Sequence, residues 1–188
     1  MTDYFALLQQ ARKPWLDPDQ LKQRYQERTL SDHPDVAGAG ASSVDFAAFN
    51  EAYRSLKDPK LRLQHLLRLE GHDPGDSPTV PGELLDLFSR IGNFVQTTDG
   101  VLSRARATQN ALAKSLIHSE ILSSRQEAAE ILRQLQKLHD EAVHQTRALN
   151  ESWTVALPEI AALSRRFAYL GRWMEQVEER KFQLDGNL

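Results

Sequence analysis

The chain contains no cysteine, little net charge and no long apolar run. Without cysteine, its 188 residues can form no disulfide, thiol nucleophile or cysteine-ligated zinc site, which fits a reducing compartment. No window approaches the roughly 18 consecutive apolar residues that a membrane span needs. The net charge of −3 differs from the basic balance of most nucleic-acid-binding proteins. We therefore expect neither a nucleic-acid partner nor a membrane partner.

The composition is that of an ordinary globular protein. Hydrophobic residues make up 40% and charged residues 26%, which is too apolar for a disordered chain. The first residues, Met1-Thr2-Asp3-Tyr4, lack the basic and apolar regions of a secretion signal. We expect a cytoplasmic protein of a bacterial cell. Its fold should be all-α, because no segment alternates between apolar and polar residues over a useful length.

Prolines and glycines divide the sequence into two parts. Positions 74–78 hold two prolines and one glycine, and a Pro-Gly pair follows at 81–82. Such a density of helix-breaking residues disfavours a helix through this stretch. We predict an N-terminal helical domain over residues 1–71, a linker over 72–79 and a C-terminal helical bundle over 80–188.

The N-terminal domain is predicted to hold four helices, with an antiparallel hairpin at its centre. Asp-Pro pairs at 17–18 and 58–59 each supply an N-cap and a proline for the first helical turn, so they begin the second and fourth helices. The third helix starts near Ser42 or Ser43. The fourth helix ends at Gly71, a residue that commonly stops a helix.

The C-terminal part is predicted to be an antiparallel three-helix bundle. Apolar residues repeat at helical spacing over roughly 80–97, then over 101–149, and again from Pro158 onward. Gly92 weakens the first of these helices, and Gly100 separates the first from the second. Short connections favour antiparallel neighbours.

The connection between the second and third helices contains His33-Pro34-Asp35. Proline disfavours helical backbone at the residue before it, and an aspartate can form turn hydrogen bonds with its own backbone. The tripeptide can therefore be a simple helix-ending turn. Its location between two amphipathic helices points to a second interpretation.

Residues 1–71 resemble a J domain. They place His33-Pro34-Asp35 in a helical hairpin, start the first helix with Asp-Tyr-Phe at positions 3–5, and follow the family pattern over residues 49–56 (Phe-Asn-Glu-Ala-Tyr-Arg-Ser-Leu). J domains stimulate ATP hydrolysis by DnaK-type chaperones. The resemblance implies a co-chaperone that is not itself an enzyme and needs no cofactor. Its histidine would bias a conformational switch in the chaperone rather than act as a general base.

The second helix carries the basic face with which J domains dock on their chaperone. The positive residues here are Lys22, Arg24 and Arg28, and the resemblance assigns them to chaperone binding together with the His-Pro-Asp loop. Gln26 and Glu27 stand where a basic pair is common. Since the whole domain is neutral, we expect weak electrostatic steering. Arg28 falls where the family has a core leucine, so its aliphatic stem is expected to pack against the core.

The fourth and last helices narrow the resemblance to the HscB family, J proteins dedicated to iron–sulfur cluster assembly. Residues 58–71 share that family's proline, an arginine three residues later, paired leucines and a closing glycine, and residues 169–179 resemble its final helix. The bundle of HscB proteins binds the scaffold protein on which clusters are built. By position, the client-binding residues here would be Leu84, Leu85, Phe88 and Tyr169.

Two features of this region leave the client open. Ser89, Gly92 and Gln96 stand where the family has carboxylates beside its apolar client-binding residues. The lack of carboxylates favours a different client or a structural, dimerising bundle. The apolar residues at 84, 85 and 88 can equally be core residues, since they share one helical face.

An enzyme is the third interpretation, and no constellation of residues supports it. The six histidines are scattered, and His139 and His144 are five residues apart, off a common helical face. They form a poor pair of metal ligands. We therefore predict no metal site and no catalytic residue.

Overall fold

The structure is a computed structural model that describes residues 1–31, 43–73 and 80–186. Within these ranges it contains seven α-helices, two turns of 3-10 helix and no strand, which confirms the predicted all-α fold. The helices are α1 (Tyr4–Leu7), α2 (Pro18–Ser31), α3 (Ser43–Lys57), α4 (Pro59–Leu69), α5 (Leu85–Ala107), α6 (Ala111–Ala148) and α7 (Leu157–Asp185). The 3-10 turns are Gly82–Leu84 and Trp153–Val155.

The chain forms two compact units. The first unit consists of Met1–Asp76 with Ala142–Phe167, and the second consists of Ser77–Glu141 with Ala168–Leu188. Helices α6 and α7 therefore contribute residues to both units. The domain and linker boundaries drawn from the sequence stay predictions, because most of the linker lies outside the described residues.

Helices α2 and α4 begin where the sequence predicts, and α4 ends two residues before the predicted Gly71. Asp17 and Asp58 each accept a hydrogen bond at 3.0 Å from the backbone N–H three residues later. Gly71 ends the α4 region with a φ of 76°, which other residues rarely adopt. The N–H of His72 then donates to the carbonyl of Leu67 at 2.9 Å, as in a Schellman motif.

Two apolar clusters form the core of the first unit. The first is built on α3 and buries Phe5, Leu8, Leu16, Leu21, Phe49, Ala52, Leu56 and Leu66. The second covers the other side of α4 and buries Leu63, Leu67, Ala142, Ile160, Leu163 and Phe167. The ring of Trp153 packs against both clusters. Residues 142–167 thus complete the core around α4.

A buried arginine connects three segments of the first unit. Arg62 of α4 donates from Nε to the carbonyl of Pro14 and from Nη1 to the carbonyl of Leu56, both at 2.6 Å. The Leu56 carbonyl lies in the last turn of α3, where backbone acceptors lack partners within the helix. Arg62 therefore joins α4 to the end of α3 and to the α1–α2 connection.

The α1–α2 connection is also held by residues in and just after the last turn of α6. The side chain of Asn150 accepts from the N–H of Trp15 at 2.9 Å and donates to its carbonyl at 3.1 Å. The Arg147 guanidinium lies 4.5 Å from the centre of the Trp15 ring, within cation–π range. These contacts fix the start of α2 to residues more than a hundred positions away in sequence.

The second unit is a three-helix bundle. Leu87 and Ile91, in the first half of α5, share a cluster with Ile131 and Leu135 in the second half of α6. Val101 of α5 instead packs with residues early in α6, so α5 and α6 are antiparallel. Helix α7 follows the direction of α5. Its buried members are Leu170, Trp173 and Val177 in the first cluster and Leu184 in the second.

The break between the first two bundle helices differs from the prediction. The predicted break lies at Gly100, whereas α5 continues to Ala107 and α6 begins at Ala111. A glycine inside a helix costs only about 1 kcal/mol, and burial of Val101 and Leu102 directly after it outweighs that cost. The break falls where Asn110 accepts the N–H of Leu112 at 2.9 Å and caps α6.

Gly100→Ala should raise the free energy of unfolding by about 0.5–1 kcal/mol, because alanine favours the helix. A Cβ at this position meets nothing within 4 Å. Gly71→Ala is the matched control and should lower stability by about 1–2 kcal/mol, because its backbone is left-handed. Urea unfolding of both variants measures the effects. Destabilisation by Gly100→Ala would show that α5 is interrupted there.

Phe49→Ala should lower the free energy of unfolding by about 3–5 kcal/mol, because the ring is buried between α2 and α3. Phe46→Ala, on the same helix, removes a ring that is 51% exposed and should change it by less than about 0.5 kcal/mol. Thermal unfolding followed by circular dichroism compares the two. Equal melting of Phe49→Ala and the parent would contradict the packing of this hairpin.

Candidate docking and client surfaces

Helices α2 and α3 form a hairpin whose two sides are held together by aromatic residues. The rings of Tyr25 and Tyr53 stack with their centres 4.4 Å apart. The Tyr25 hydroxyl donates to Oδ1 of Asn50 at 2.5 Å. Phe49 and Leu21 belong to the same buried cluster, which confirms that the aromatic residues of α3 pack against α2. The structure thus contains the predicted helical hairpin of α2 and α3.

The predicted chaperone-binding loop, His33-Pro34-Asp35, lies outside the described residues. The structure describes the end of α2 at Ser31 and the start of α3 at Ser43. The assignment of these three residues to chaperone binding therefore stays a prediction.

The three cations predicted to bind the chaperone lie in different environments. Lys22 and Arg24 are exposed, and Arg24 forms a surface ion pair with Glu27 at 3.1 Å. Arg28 is half-buried, with its guanidinium 5.3 Å from the centre of the Phe49 ring. Its stem packs on the hairpin, as the family comparison of this position suggests. The exposed positive charge of α2 is thus smaller than the sequence count implies.

Three of the four predicted client-binding residues lie together at the surface of the second unit. Leu85 and Phe88 are 50% and 49% exposed, and they lie three residues apart on α5. The Phe88 ring centre is 6.1 Å from that of Trp173 on α7. The half-buried Tyr169, also on α7, has its ring centre 5.6 Å from that of Trp173. We call Leu85, Phe88 and Tyr169 the apolar patch.

Leu84 does not belong to this patch, and its assignment to a client surface is wrong. Its side chain is only 1% exposed and packs in the core of the bundle. The reason is local geometry, since Leu84 ends a 3-10 turn and precedes the first residue of α5. It therefore points in a different direction from Leu85 and joins Leu87 and Ile91 in the core.

Trp173 is the residue of this region that the sequence analysis missed. Its indole is buried and lies beneath both aromatic rings of the apolar patch. The signal was present, because Trp173 is four residues after Tyr169 and such pairs lie on one face of a helix. A rigid aromatic base fixes the positions of the two exposed rings.

The surroundings of the apolar patch on α5 are mostly uncharged. Ser89, Gly92 and Gln96 are exposed and continue the helical face of Leu85 and Phe88. This face therefore offers apolar contact and amide or hydroxyl hydrogen bonds rather than carboxylates. The surface suits a partner with an apolar site of its own.

Other kinds of site were sought in the described ranges. No group of three or more histidine, cysteine, aspartate or glutamate side chains there is arranged to hold a metal ion. None of the helices described by the structure is long and apolar enough to cross a membrane.

Comparison with known proteins finds relatives, and the following one matches almost the whole chain. The co-chaperone protein HscB of Proteus mirabilis (strain HI4320) is 28% identical over 186 residues, covering 96% of this chain and 98% of that protein. No protein-family model matches the chain.

A solved structure shows the same fold. The chaperone HscB from Vibrio cholerae has a TM-score of 0.57 and 19% identity, covering 97% of this chain and 99% of that one. The human co-chaperone protein HscB has a TM-score of 0.48 and 18% identity, covering 96% of this chain and 83% of that one. Along nearly its whole length the chain is similar to an HscB-type co-chaperone, and it shares the all-α fold of a solved HscB structure.

Proposed function

We propose that this protein is a co-chaperone that stimulates the ATPase of a DnaK-type chaperone and delivers a client to it in iron–sulfur cluster assembly. The observation that carries the proposal is the similarity to a co-chaperone protein over 96% of the chain. This coverage matters because it takes in both the helical hairpin and the C-terminal bundle. The residues that would perform the two tasks lie in different units.

Chaperone stimulation would depend on the loop between α2 and α3. The Tyr25–Tyr53 stack and the buried Phe49 hold together α2 and α3, the helices on either side of this loop. A loop with fixed ends loses less conformational entropy when it binds. His33 and Asp35 would contact the chaperone there, with Lys22 and Arg24 supplying exposed positive charge. Since Arg24 is paired with Glu27, that charge contributes little long-range steering.

Client capture would use the apolar patch. Aromatic and large aliphatic side chains dominate the binding energy of typical interfaces, especially when they are held rigidly. Phe88 and Tyr169 rest on the buried Trp173, so neither ring needs much ordering when a partner binds. The client that the resemblance implies is an iron–sulfur scaffold protein.

A second candidate role is favoured by the uncharged surroundings of the patch. Without carboxylates at Ser89, Gly92 and Gln96, the same apolar surface suits another client or a second copy of this chain. Light scattering of the full-length protein separates the alternatives: a stable dimer that Phe88→Ser dissociates would assign the patch to self-association. A monomer that retains a scaffold protein in a pull-down would assign it to the client.

His33→Gln should abolish stimulation of the chaperone ATPase while helicity and melting stay unchanged, because a loop side chain contributes little to stability. Single-turnover ATP hydrolysis by a DnaK-type chaperone measures the effect. His144→Gln is the matched control, since His144 is an exposed histidine on α6, and it should stimulate like the parent. Stimulation that survives His33→Gln would remove the J-domain function.

The double variant Leu85→Ser, Phe88→Ser should bind the scaffold protein at least about 100-fold more weakly, because it removes the two exposed anchors of the patch. Isothermal titration calorimetry measures the affinity. The matched control replaces Leu112 and Leu116, two exposed leucines of α6, with serine and should bind like the parent. Both variants should still stimulate the chaperone ATPase. Equal scaffold affinity of the patch variant and the parent would place the client site elsewhere.

The full-length chain is the right material for these experiments. Residues 142–167 belong to the same compact unit as the N-terminal helices. A fragment ending at residue 71 would expose Leu63 and Leu67, which otherwise pack with α6 and α7. Loss of stimulation by such a fragment would report misfolding rather than a missing client.

A further inference from the structure

His65 of α4 is a buried histidine whose ring nitrogen caps the first helix of the protein. Its side chain is 4% exposed. Its Nε2 atom accepts a hydrogen bond at 3.0 Å from the backbone N–H of Tyr4, the first residue of α1. The first N–H groups of a helix have no partner within it. Because the donor is a backbone N–H, Nε2 must be unprotonated.

Aromatic rings surround the imidazole. The Tyr4 ring stacks on it at 4.4 Å between centres, and the Phe5 ring lies at 5.8 Å. Both residues come from α1, so one histidine holds the first turn of α1 by a hydrogen bond and by stacking. Helix α3 contributes Phe49, Ala52 and Leu56 to the adjoining apolar cluster.

Three charged groups act on His65. Burial lowers its pKa below the ordinary value, Asp3 opposes that shift, and Arg68 and Arg12 reinforce it. The carboxylate of Asp3 already accepts the N–H groups of Phe5 and Ala6 and pairs with Arg12 at 2.8 Å. Arg12 also pairs with Glu70 at 3.3 Å, so that carboxylate is partly neutralised too. These surroundings offer little compensation for a positive imidazole.

We propose that His65 is a pH-sensitive switch for the docking of α1 on α4. A proton on Nε2 would meet the N–H of Tyr4 head-on, so the hydrogen bond would be lost and a positive charge would be left in a buried site. In mildly acidic solution, protonation therefore releases the first helix, and with it the N-terminal end of the first unit. The inference is independent of the chaperone role proposed above.

The pH window follows from the direction of the shift. The folded pKa of His65 lies below that of the unfolded chain, about 6.5, so the unfolded state takes up the proton first. The stabilisation is complete above about pH 6.5 and is lost progressively below it. For one proton, the unfolding equilibrium constant rises by at most about tenfold per pH unit. Asp3, whose pKa is also lowered, loses its contribution only near pH 4 and below.

Urea unfolding of the full-length chain at two pH values, about 7.5 and about 5.5, tests the switch. The unfolding constant of the parent should rise several-fold between them. His65→Gln should show no such rise, because an amide oxygen can accept the Tyr4 N–H and does not titrate. His118→Gln replaces an exposed histidine and should keep the dependence of the parent.

Hydrogen exchange of the Tyr4 amide gives a local measurement that does not depend on the stability of a variant. In the parent, protection of this amide, corrected for the intrinsic pH effect, should fall on acidification. Protection of amides in α5 should stay constant. A parent whose stability and Tyr4 protection are the same at both pH values overturns the proposal, and so does a His65→Gln variant that retains the parental dependence.

Discussion

One buried cation determines how the N-terminal helices fit together. The guanidinium of Arg62 binds the carbonyls of Pro14 and Leu56. Burial lowers the pKa of Arg62 to about 10, while the charge of Asp58 opposes the shift, so the group is still charged at neutral pH. Its charge-assisted hydrogen bonds are stronger than neutral ones. The end of α3 and the start of α2 thus take their positions from a residue outside the hairpin itself.

This constraint bears on the proposed docking loop. The loop connects α2 to α3, and both helices are fixed at the ends remote from it by Arg62 and by the contacts of Trp15 with Asn150. The Tyr25–Tyr53 stack holds the middle of α2 to the second half of α3, and Arg28 over Phe49 joins the two helices nearer the loop. Arg28, a candidate for chaperone binding, therefore already takes part in packing. Replacing Arg28 would disturb the packing of α2 on α3 as well as the surface charge.

Local signals in the sequence were sufficient to predict most helices. Asp-Pro at 17–18 and 58–59 and the glycine at 71 act within a few residues, so the ends of α2 and α4 could be predicted. The break predicted at Gly100 was wrong. The small cost of a glycine to helix stability is outweighed by burial of Val101 and Leu102, which depends on α6 and α7. Leu84 and Leu85 are adjacent and chemically identical. Only the 3-10 turn before α5 decides that the first is buried and the second exposed.

The sequence could not predict that residues 142–167 belong to the first unit, because this depends on contacts between segments far apart in the sequence. The position of these residues in the first unit limits how such a protein can change by recombination. A segment cut at residue 71 would leave behind the surface that covers Leu63 and Leu67. An exchange that preserves the fold must carry matching segments of α6 and α7 with it. The two halves of this chain are therefore constrained to be inherited, and to vary, together.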